Sequence, residues 1–334
     1  MSGPVTVRAP CRVDCAGGTL DIWPLGLLHP GARTVSFAID VTVAVTVARR
    51  PVGYRVLQGE IGVEAAALEA LRREPEAALV ATFLEALDAP PLEVRLASGS
   101  PRGGGLGASS AAAVALIAAV EELLGRTPSP PAARAALARD LEARLMSLPT
   151  GVQDHWVALE GGALDLAHLP GGTEVRRLAV DLEALGASLA VAYTGASHFS
   201  AAANWQVVRR RLDGDPDTVE RFAGIAAVAG QAAAALEAGD LPRLGRLMGE
   251  EWSLRRGLAP EVSTPRIEEL LALAARHGAW GGKACGAGGG GCVAVLAPPE
   301  RRAAVVTAWS AAGARIVAAS PTATPLTVCR AEGP

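Results

Sequence analysis

The segment Ser100–Ala113, SPRGGGLGASSAAA, carries the clearest chemical signal in the chain. Glycines let a backbone turn tightly and approach a ligand closely. The run beginning at Ala108 reads as a helix, so unpaired N–H groups and a positive dipole end face the loop. Ser109 and Ser110 fall in the first turn, where hydroxyls cap backbone donors or reach a metal bound to phosphates. This is anion-binding architecture, suited to a nucleotide polyphosphate. No G-K-[ST] closes the loop, so it is not a Walker A sequence. Gly103, Gly105 and Ala108 do satisfy G-x-G-x-x-A. A dinucleotide fold also needs a second strand after the helix, ending in an acid about twenty residues on. The nearest acids, Glu121 and Glu122, still lie in the helical run, and a Pro-rich break follows. A dehydrogenase is thus the out-of-class alternative, and a plain Gly-rich turn into a core helix is the bland one.

Two further segments bear on chemistry. Lys283–Gly291, KACGAGGGG, has five glycines in its last six residues. Each glycine loses conformational entropy on ordering, so close backbone approach to a ligand or to another loop is the economical explanation. Its G-x-G-x-x-G match precedes a strand, the reverse of a dinucleotide fold. In Ala9–Asp21, APCRVDCAGGTLD, Arg12, Asp14 and Asp21 flank a Gly pair after a short strand. Alone, this segment reads as a surface turn with solvated charges.

The elements that must position these loops follow from periodicity. Val5–Val7, Thr34–Arg49 (one or two strands), Leu92–Leu96, Gly162–Leu166, Arg177–Val180, Ser188–Tyr193, Cys292–Leu296 and Arg315–Ala319 read as strands. Glu64–Leu87, Ala108–Leu124, Ala132–Met146, Asn204–His277 and Pro298–Ala312 read as helical. Asp213–Asp217 and Asp240–Pro242 punctuate the fourth of these. The result is an α+β chain in two halves, with a boundary near 165–185.

Composition bounds the class. The 334 residues are 50% hydrophobic and 19% charged, ample for a large core, and two domains are the default at this length. A net charge of −3 argues against nucleic acid as main partner. No uncharged apolar run of membrane-spanning length and no signal-peptide pattern is read. Five cysteines without a C-x-x-C pair suggest reduced thiols in a cytoplasmic protein. Glu250–Glu251 reads as a solvated helix end, and His29, His168 and His277 as surface or loop residues. Lys283 is the single lysine among 31 basic residues. Either the genome writes Arg for Lys, or an ammonium is needed there.

The three loops together resemble the GHMP kinase superfamily. Ala9 through Asp21 is similar to its first motif, A-P-G-R-V-N-L-x-G-E-H-T-D. Pro101 through Ala111 is similar to the second, P-x-G-x-G-L-G-S-S-A, and Lys283 through Gly291 to the third, K-x-x-G-A-G-G-G-G. Order and spacing fit over nearly the whole chain. Ala16-Gly17-Gly18, Gly151-Val152-Gln153-Asp154, Tyr193-Thr194-Gly195 and Trp252–Leu258 look like the sugar kinase branch of heptose-phosphate and fucose kinases. The resemblance implies a two-domain fold: a ribosomal protein S5 domain 2-like N-terminal domain (1–172) and a ferredoxin-like C-terminal domain (173–334). It implies an ATP-dependent kinase acting on a small-molecule sugar with Mg²⁺, as a monomer or homodimer.

Residue by residue, the resemblance makes Asp154 the catalytic aspartate and Arg12 its basic neighbour. Pro101, Gly103, Gly104, Gly105, Leu106, Gly107, Ala108, Ser109 and Ser110 would bind ATP. Ser109 and Glu142 would hold Mg²⁺. Asp14, Gly18, Asp21, His198, Lys283, Gly288 and Gly289 would contact substrate. Such a set is chemically coherent. The acceptor hydroxyl needs a carboxylate for its proton, and the phosphates need positive charge. An adjacent Arg keeps that carboxylate ionised.

The chain also departs from the pattern. Asp14 stands for the usual Asn, losing a donor, and Cys11 for Gly, limiting the φ of a turn. His198 stands where the branch often has an Arg, which mildly favours a neutral sugar over a sugar phosphate. His155 is either a donor to Asp154 or a structural residue. Trp23 and Trp205 are candidates to stack on a pyranose face. A mevalonate-like or homoserine-like alcohol, or a family member that binds without catalysing, are the alternatives.

Overall fold

The Val/Thr alternation after Ala32 forms one 17-residue strand, around which the first half is built. A computed structural model describes residues 3–196 and 201–330. In chain order the first half comprises β1 (Val5–Ala16), β2 (Arg33–Arg49), β3 (Tyr54–Gln58), β4 (Ile61–Ala65), α1 (Leu68–Arg72), α2 (Ala78–Ala86) and β5 (Leu92–Ser98). These are followed by α3 (Ala108–Leu124), α4 (Pro131–Met146), α5 (Gln153–Glu160), β6 (Ala163–Leu169) and β7 (Gly172–Leu178). β2 pairs with β1 along one edge. Its other edge is shared, Arg33–Phe37 with β6 and Val43–Arg49 with β5.

α3 lies against β1 and β2 and is buried on nearly every side. Its Ala-rich sequence explains this, since small side chains let a sheet and the helices α2, α4 and α5 approach one axis. Gly125, at φ +66, ends it in the left-handed cap that glycine favours.

The second half holds α6 (Leu182–Ser188), β8 (Leu189–Tyr193), α7 (Ala201–Leu212), α8 (Pro216–Glu237), α9 (Leu241–Arg256), α10 (Pro265–Arg276), β9 (Gly281–Ala284), β10 (Cys292–Leu296), α11 (Pro299–Ala311) and β11 (Arg315–Ile316). Its sheet runs β11-β8-β10-β9, all antiparallel. With β8, β9, β10 and β11 taken as first to fourth, this is the 4-1-3-2 order of a β-α-β-β-α-β unit. The acidic punctuation is capping: Asp215 accepts the Thr218 N–H and Asp240 the Arg243 N–H, as the Thr264 hydroxyl accepts the Ile267 N–H at the start of α10. α8 is long and apolar enough to cross a membrane by length and composition, but half of its apolar window is buried inside the protein.

Several sequence expectations change here. Ala9–Asp21 is no surface turn, because β1 runs to Ala16 with Arg12 and Asp14 buried. Cys11 is therefore extended strand, and its replacement of a glycine costs nothing in φ. β3 and β4 occupy a stretch to which periodicity assigns no strand, and the end of β4 overlaps the helical reading that begins at Glu64. A division at 172/173 falls inside the β6–β7 pair, both strands of which belong to the first sheet. The last strand, β12 (Thr327–Arg330), returns to pair with β1. The strand following α3 is β6, antiparallel to β2, so no dinucleotide βαβ unit forms.

Candidate active site

α3 begins where the first Gly-rich loop ends, with Gly107 at φ +76. Its unpaired N–H groups open on a cleft of about 930 Å³ lined by residues 100–110. Arg12, Gly18, Asp21, Glu142, Asp154 and Gly288 line the same cleft. The chain thus gathers in one place residues that stand more than 250 positions apart.

α5 carries Asp154 in its first turn, and β1 carries Arg12 opposite. The two form a bidentate pair, with Arg12 Nε and Nη2 donating to Asp154 Oδ1 and Oδ2 at 2.7 and 2.8 Å. Arg12 also donates Nη1–H to the Gly105 carbonyl, and its backbone N–H to Leu106 O at 2.9 Å. The guanidinium therefore fixes the carboxylate against the first Gly-rich loop. Contact there is close, since a Cβ at Gly107 would lie 3.2 Å from the Asp154 carboxyl carbon. Loss of surrounding water raises the Asp154 carboxyl above its ordinary value, and Arg12 offsets that only in part.

Glu142, on α4, accepts from Ser109 Oγ at 2.8 Å and Ser110 Oγ at 3.0 Å, and His155 Nε2 lies 2.6 Å from its Oε2. Burial alone would raise this carboxyl; His155 and the two hydroxyls more than offset it, and it falls below the ordinary range. His155 is raised in turn, its burial outweighed by Glu142. His155 is therefore a partner of Glu142 rather than a donor to Asp154. Ser109 Oγ and Glu142 Oε1 form a hard-oxygen pair beside the helix N-terminus. They suit Mg²⁺, which takes few protein oxygens and keeps phosphate ligands.

The two Gly-rich loops answer each other. A Cβ at Gly105, φ +69, would sit 2.4 Å from the Cys285 carbonyl oxygen, and one at Gly291 would sit 3.0 Å from Gly103 O. Cys292 N–H donates to Gly104 O, and Thr194 N–H to Gly291 O. Of the two explanations for the glycines of 286–291, contact with another loop is therefore realised. Gly105→Ala should cost about 1–3 kcal/mol, because the obstacle is backbone that cannot swing away. A denaturant midpoint checks it. Burial pushes the nearby Cys11 and Cys292 thiols up to about 12, leaving them unreactive at neutral pH.

Three expected substrate contacts lie elsewhere. Asp14 and Lys283 are fully buried beneath the cleft. Lys283 Nζ donates to Asp14 Oδ2 at 2.5 Å and lies 3.0 Å from Glu251 Oε2, and Asp14 Oδ1 accepts the Gly286 N–H at 2.9 Å. Gly289 turns its N–H to Val262 O and does not line the cleft. Asp21 does line it, but its Oδ2 already accepts the Val152 and Gln153 N–H groups at 2.8 and 3.0 Å, holding the start of α5. Trp205 lines the cleft, whereas Trp23 is 71% exposed outside it. His198 lies outside the described residues. His29 is buried and accepts from Arg211 Nε, correcting its reading as a surface residue.

Glu251, read as a solvated helix end, is completely buried. It accepts from Arg255 Nε at 2.9 Å, and Arg255 lines the cleft. Spacing held the signal. Leu244, Leu247, Met248, Glu251, Trp252 and Arg255 fall on one helical stripe of α9, all buried.

Comparison with known proteins matches this arrangement. The model for the GHMP kinases N-terminal domain matches residues 66–162, and that for the GHMP kinases C-terminal domain matches residues 232–315. Together they span more than half of the chain. The fold is similar to that of a D-glycero-D-manno-heptose 1-phosphate kinase from Bacteriodes thetaiotaomicron, with TM-score 0.79 and 20% identity over 98% of this chain and 100% of that one. Lactococcus lactis galactokinase complexed with galactose gives TM-score 0.75 and 16% identity, over 97% and 95%. Methanococcus jannaschii mevalonate kinase gives 0.74 and 19%, over 95% and 98%. No curated protein sequence matches. With both domain models in chain order, and a Gly-rich loop, helix and carboxylate meeting in one cleft, the chain belongs to the GHMP kinase family and has its two-domain fold.

Proposed function

We propose that this protein is an ATP-dependent sugar kinase, transferring the γ-phosphoryl group to a sugar hydroxyl. The observation that carries the reading is the Arg12–Asp154 pair set directly against the anion loop at Gly107. A proton acceptor there stands beside the phosphoryl group that the loop would hold. Phosphoryl transfer asks for little more than such positioning and charge.

In this reading the backbone of Gly103–Ser110 and the α3 N-terminus cradle the triphosphate of ATP. Arg102, exposed in the same loop, adds a cation to the cleft. Asp154 accepts the proton of the attacking hydroxyl. Arg12 keeps that carboxylate ionised and aimed, and its charge faces the transferring group. Ser109 and Glu142 would hold Mg²⁺, which supplies positive charge to the phosphate oxygens. His155 neutralises Glu142 from behind. Ser109→Ala should raise the Mg²⁺ concentration for half-maximal rate on the order of tenfold, which a Mg²⁺ titration at saturating ATP reads.

The sugar reading is supported by the sequence features of the sugar kinase branch, by the likeness to heptose-phosphate kinase and galactokinase structures, and by Trp205 at the cleft wall. A non-sugar alcohol is the second reading, favoured by the comparable likeness to mevalonate kinase. A mass readout of ATP with galactose, fucose, mannose, mannoheptose, its phosphates, homoserine and mevalonate separates them. Phosphorylation of mevalonate or homoserine alone would overturn the sugar assignment.

A further inference from the structure

Thr19 is a β-branched residue at φ +74, a backbone region that such residues rarely enter. It is nearly buried and lines the cleft beside Gly18. What holds it there comes from the other half of the protein. Arg255, on α9 and 2% exposed, donates Nη1–H to Thr19 Oγ1 at 2.9 Å and Nη2–H to Gly18 O at 2.6 Å. Its remaining bonds, from Nε and Nη2, go to Glu251 Oε1 at 2.9 and 2.5 Å. Glu251 is anchored by Lys283, which also holds Asp14.

Gly18 packs within 3.2 Å (at its would-be Cβ) of Gln153 Nε2, the side chain preceding Asp154. The Gly18–Thr19 turn thus borders the reacting carboxylate through Gln153, while Gly107 borders it on the phosphate side. Strained backbone persists only where surroundings over-determine it, and it clusters at ligand clamps. Each guanidinium nitrogen already donates within the protein and Glu251 balances the charge, so Arg255 offers the cleft shape more than free charge.

We propose that Arg255 is a positioning residue for the phosphoryl acceptor. It locks Thr19 in its left-handed conformation, holds the Gly18 carbonyl, and so builds the wall against which the acceptor's hydroxyls are oriented toward Asp154. The inference rests on the kinase reading above and deepens it. It assigns acceptor recognition to a contact between the two domains, with Glu251 holding Arg255 in place.

The test compares Arg255→Lys, Thr19→Ala and Thr19→Ser in the full chain, using the acceptor that the panel identifies. One lost charged hydrogen bond corresponds to about tenfold or more in binding. The acceptor KM should therefore rise by that factor in Arg255→Lys and Thr19→Ala, while the KM for ATP stays within about twofold. Thr19→Ser, which restores the hydroxyl, should return the acceptor KM toward the parent value. An unchanged acceptor KM, equal rises in both KM values, or a Thr19→Ser protein as impaired as Thr19→Ala would overturn the proposal.

A second measurement needs no acceptor. The Leu20 and Ile22 amides are bonded within this turn, to Gly17 O and Thr19 O. Their hydrogen exchange should quicken about tenfold or more in Arg255→Lys, with amides of α3 unaffected. Unchanged exchange at Leu20 and Ile22 would remove the lock, whatever the substrate. Failure of the kinase reading looks different: the parent protein would phosphorylate nothing in the panel, with the exchange result intact.

Discussion

Asp154→Asn should leave a folded protein that still binds ATP but phosphorylates its acceptor about 10²–10⁴-fold more slowly. Asn keeps the shape of the side chain and one acceptor for Arg12. It cannot take a proton, and it leaves the guanidinium without the anion that now meets two of its nitrogens. Titration calorimetry with ATP and single-turnover phosphorylation together check the split. Full turnover by the variant would remove Asp154 from its proposed role. The same carboxylate sets a pH limb. Its proton affinity is raised by desolvation, which Arg12 only partly counters. Only the ionised form accepts a proton, so the rate should fall as pH drops through a value above the ordinary carboxylate range. In wild-type protein that acid limb should therefore appear earlier on acidification than for a solvated aspartate.

Lys283→Met should cost about 3–5 kcal/mol of stability, the cost of breaking a buried pair and leaving its partners charged. Here two partners are left, Asp14 and Glu251, both fully buried. Burial would raise each of them. Lys283, Arg12 and Arg255 outweigh it for Asp14, and Arg255 and Lys283 for Glu251, so both are held below their ordinary values. A depressed carboxyl gives stability that is present above its unfolded pKa, about 4, and is lost as pH falls through the folded value. Without Lys283 both carboxyls rise, so the variant's deficit should be largest near neutral pH and shrink on acidification. Urea midpoints at several pH values read this directly. Lys283→Arg should also destabilise, because a planar fork replaces a compact ammonium in a space with no exposure. A neutral result for Lys283→Arg would return the lone lysine to composition bias.

The parts of this protein legible in its sequence are those governed by local rules. Ala108–Leu124 and Cys292–Leu296 have the same bounds in sequence and structure, because a mostly apolar run bounded by glycine or proline signals leaves little choice. The loops at 100–107 and 285–291 were marked by glycines, whose φ values and close approaches only that residue satisfies. What failed depended on partners far away. Arg12 and Asp14 look like a turn until Asp154 and Lys283 arrive to neutralise them inside a strand. Glu251 looks solvated until Lys283 and Arg255 close around it. Asp21 reads as a ligand for hydroxyls, yet one of its oxygens serves the α5 backbone. Long-range charge pairing has no local signature, and at this site it decides which polar residues face the cleft and which hold it up.

The pairing of β12 with β1, Val5 opposite Arg330, has a consequence for biogenesis. Residues 17–326 lie between β1 and the strand that covers its outer edge, so β1 leaves the ribosome well ahead of that strand. At typical synthesis rates that edge waits on the order of tens of seconds for its partner. An uncovered strand edge is a template for pairing with another chain. Nascent copies on one messenger are therefore most exposed to mutual aggregation before Thr327–Arg330 emerge, and loss of that strand would make the exposure permanent.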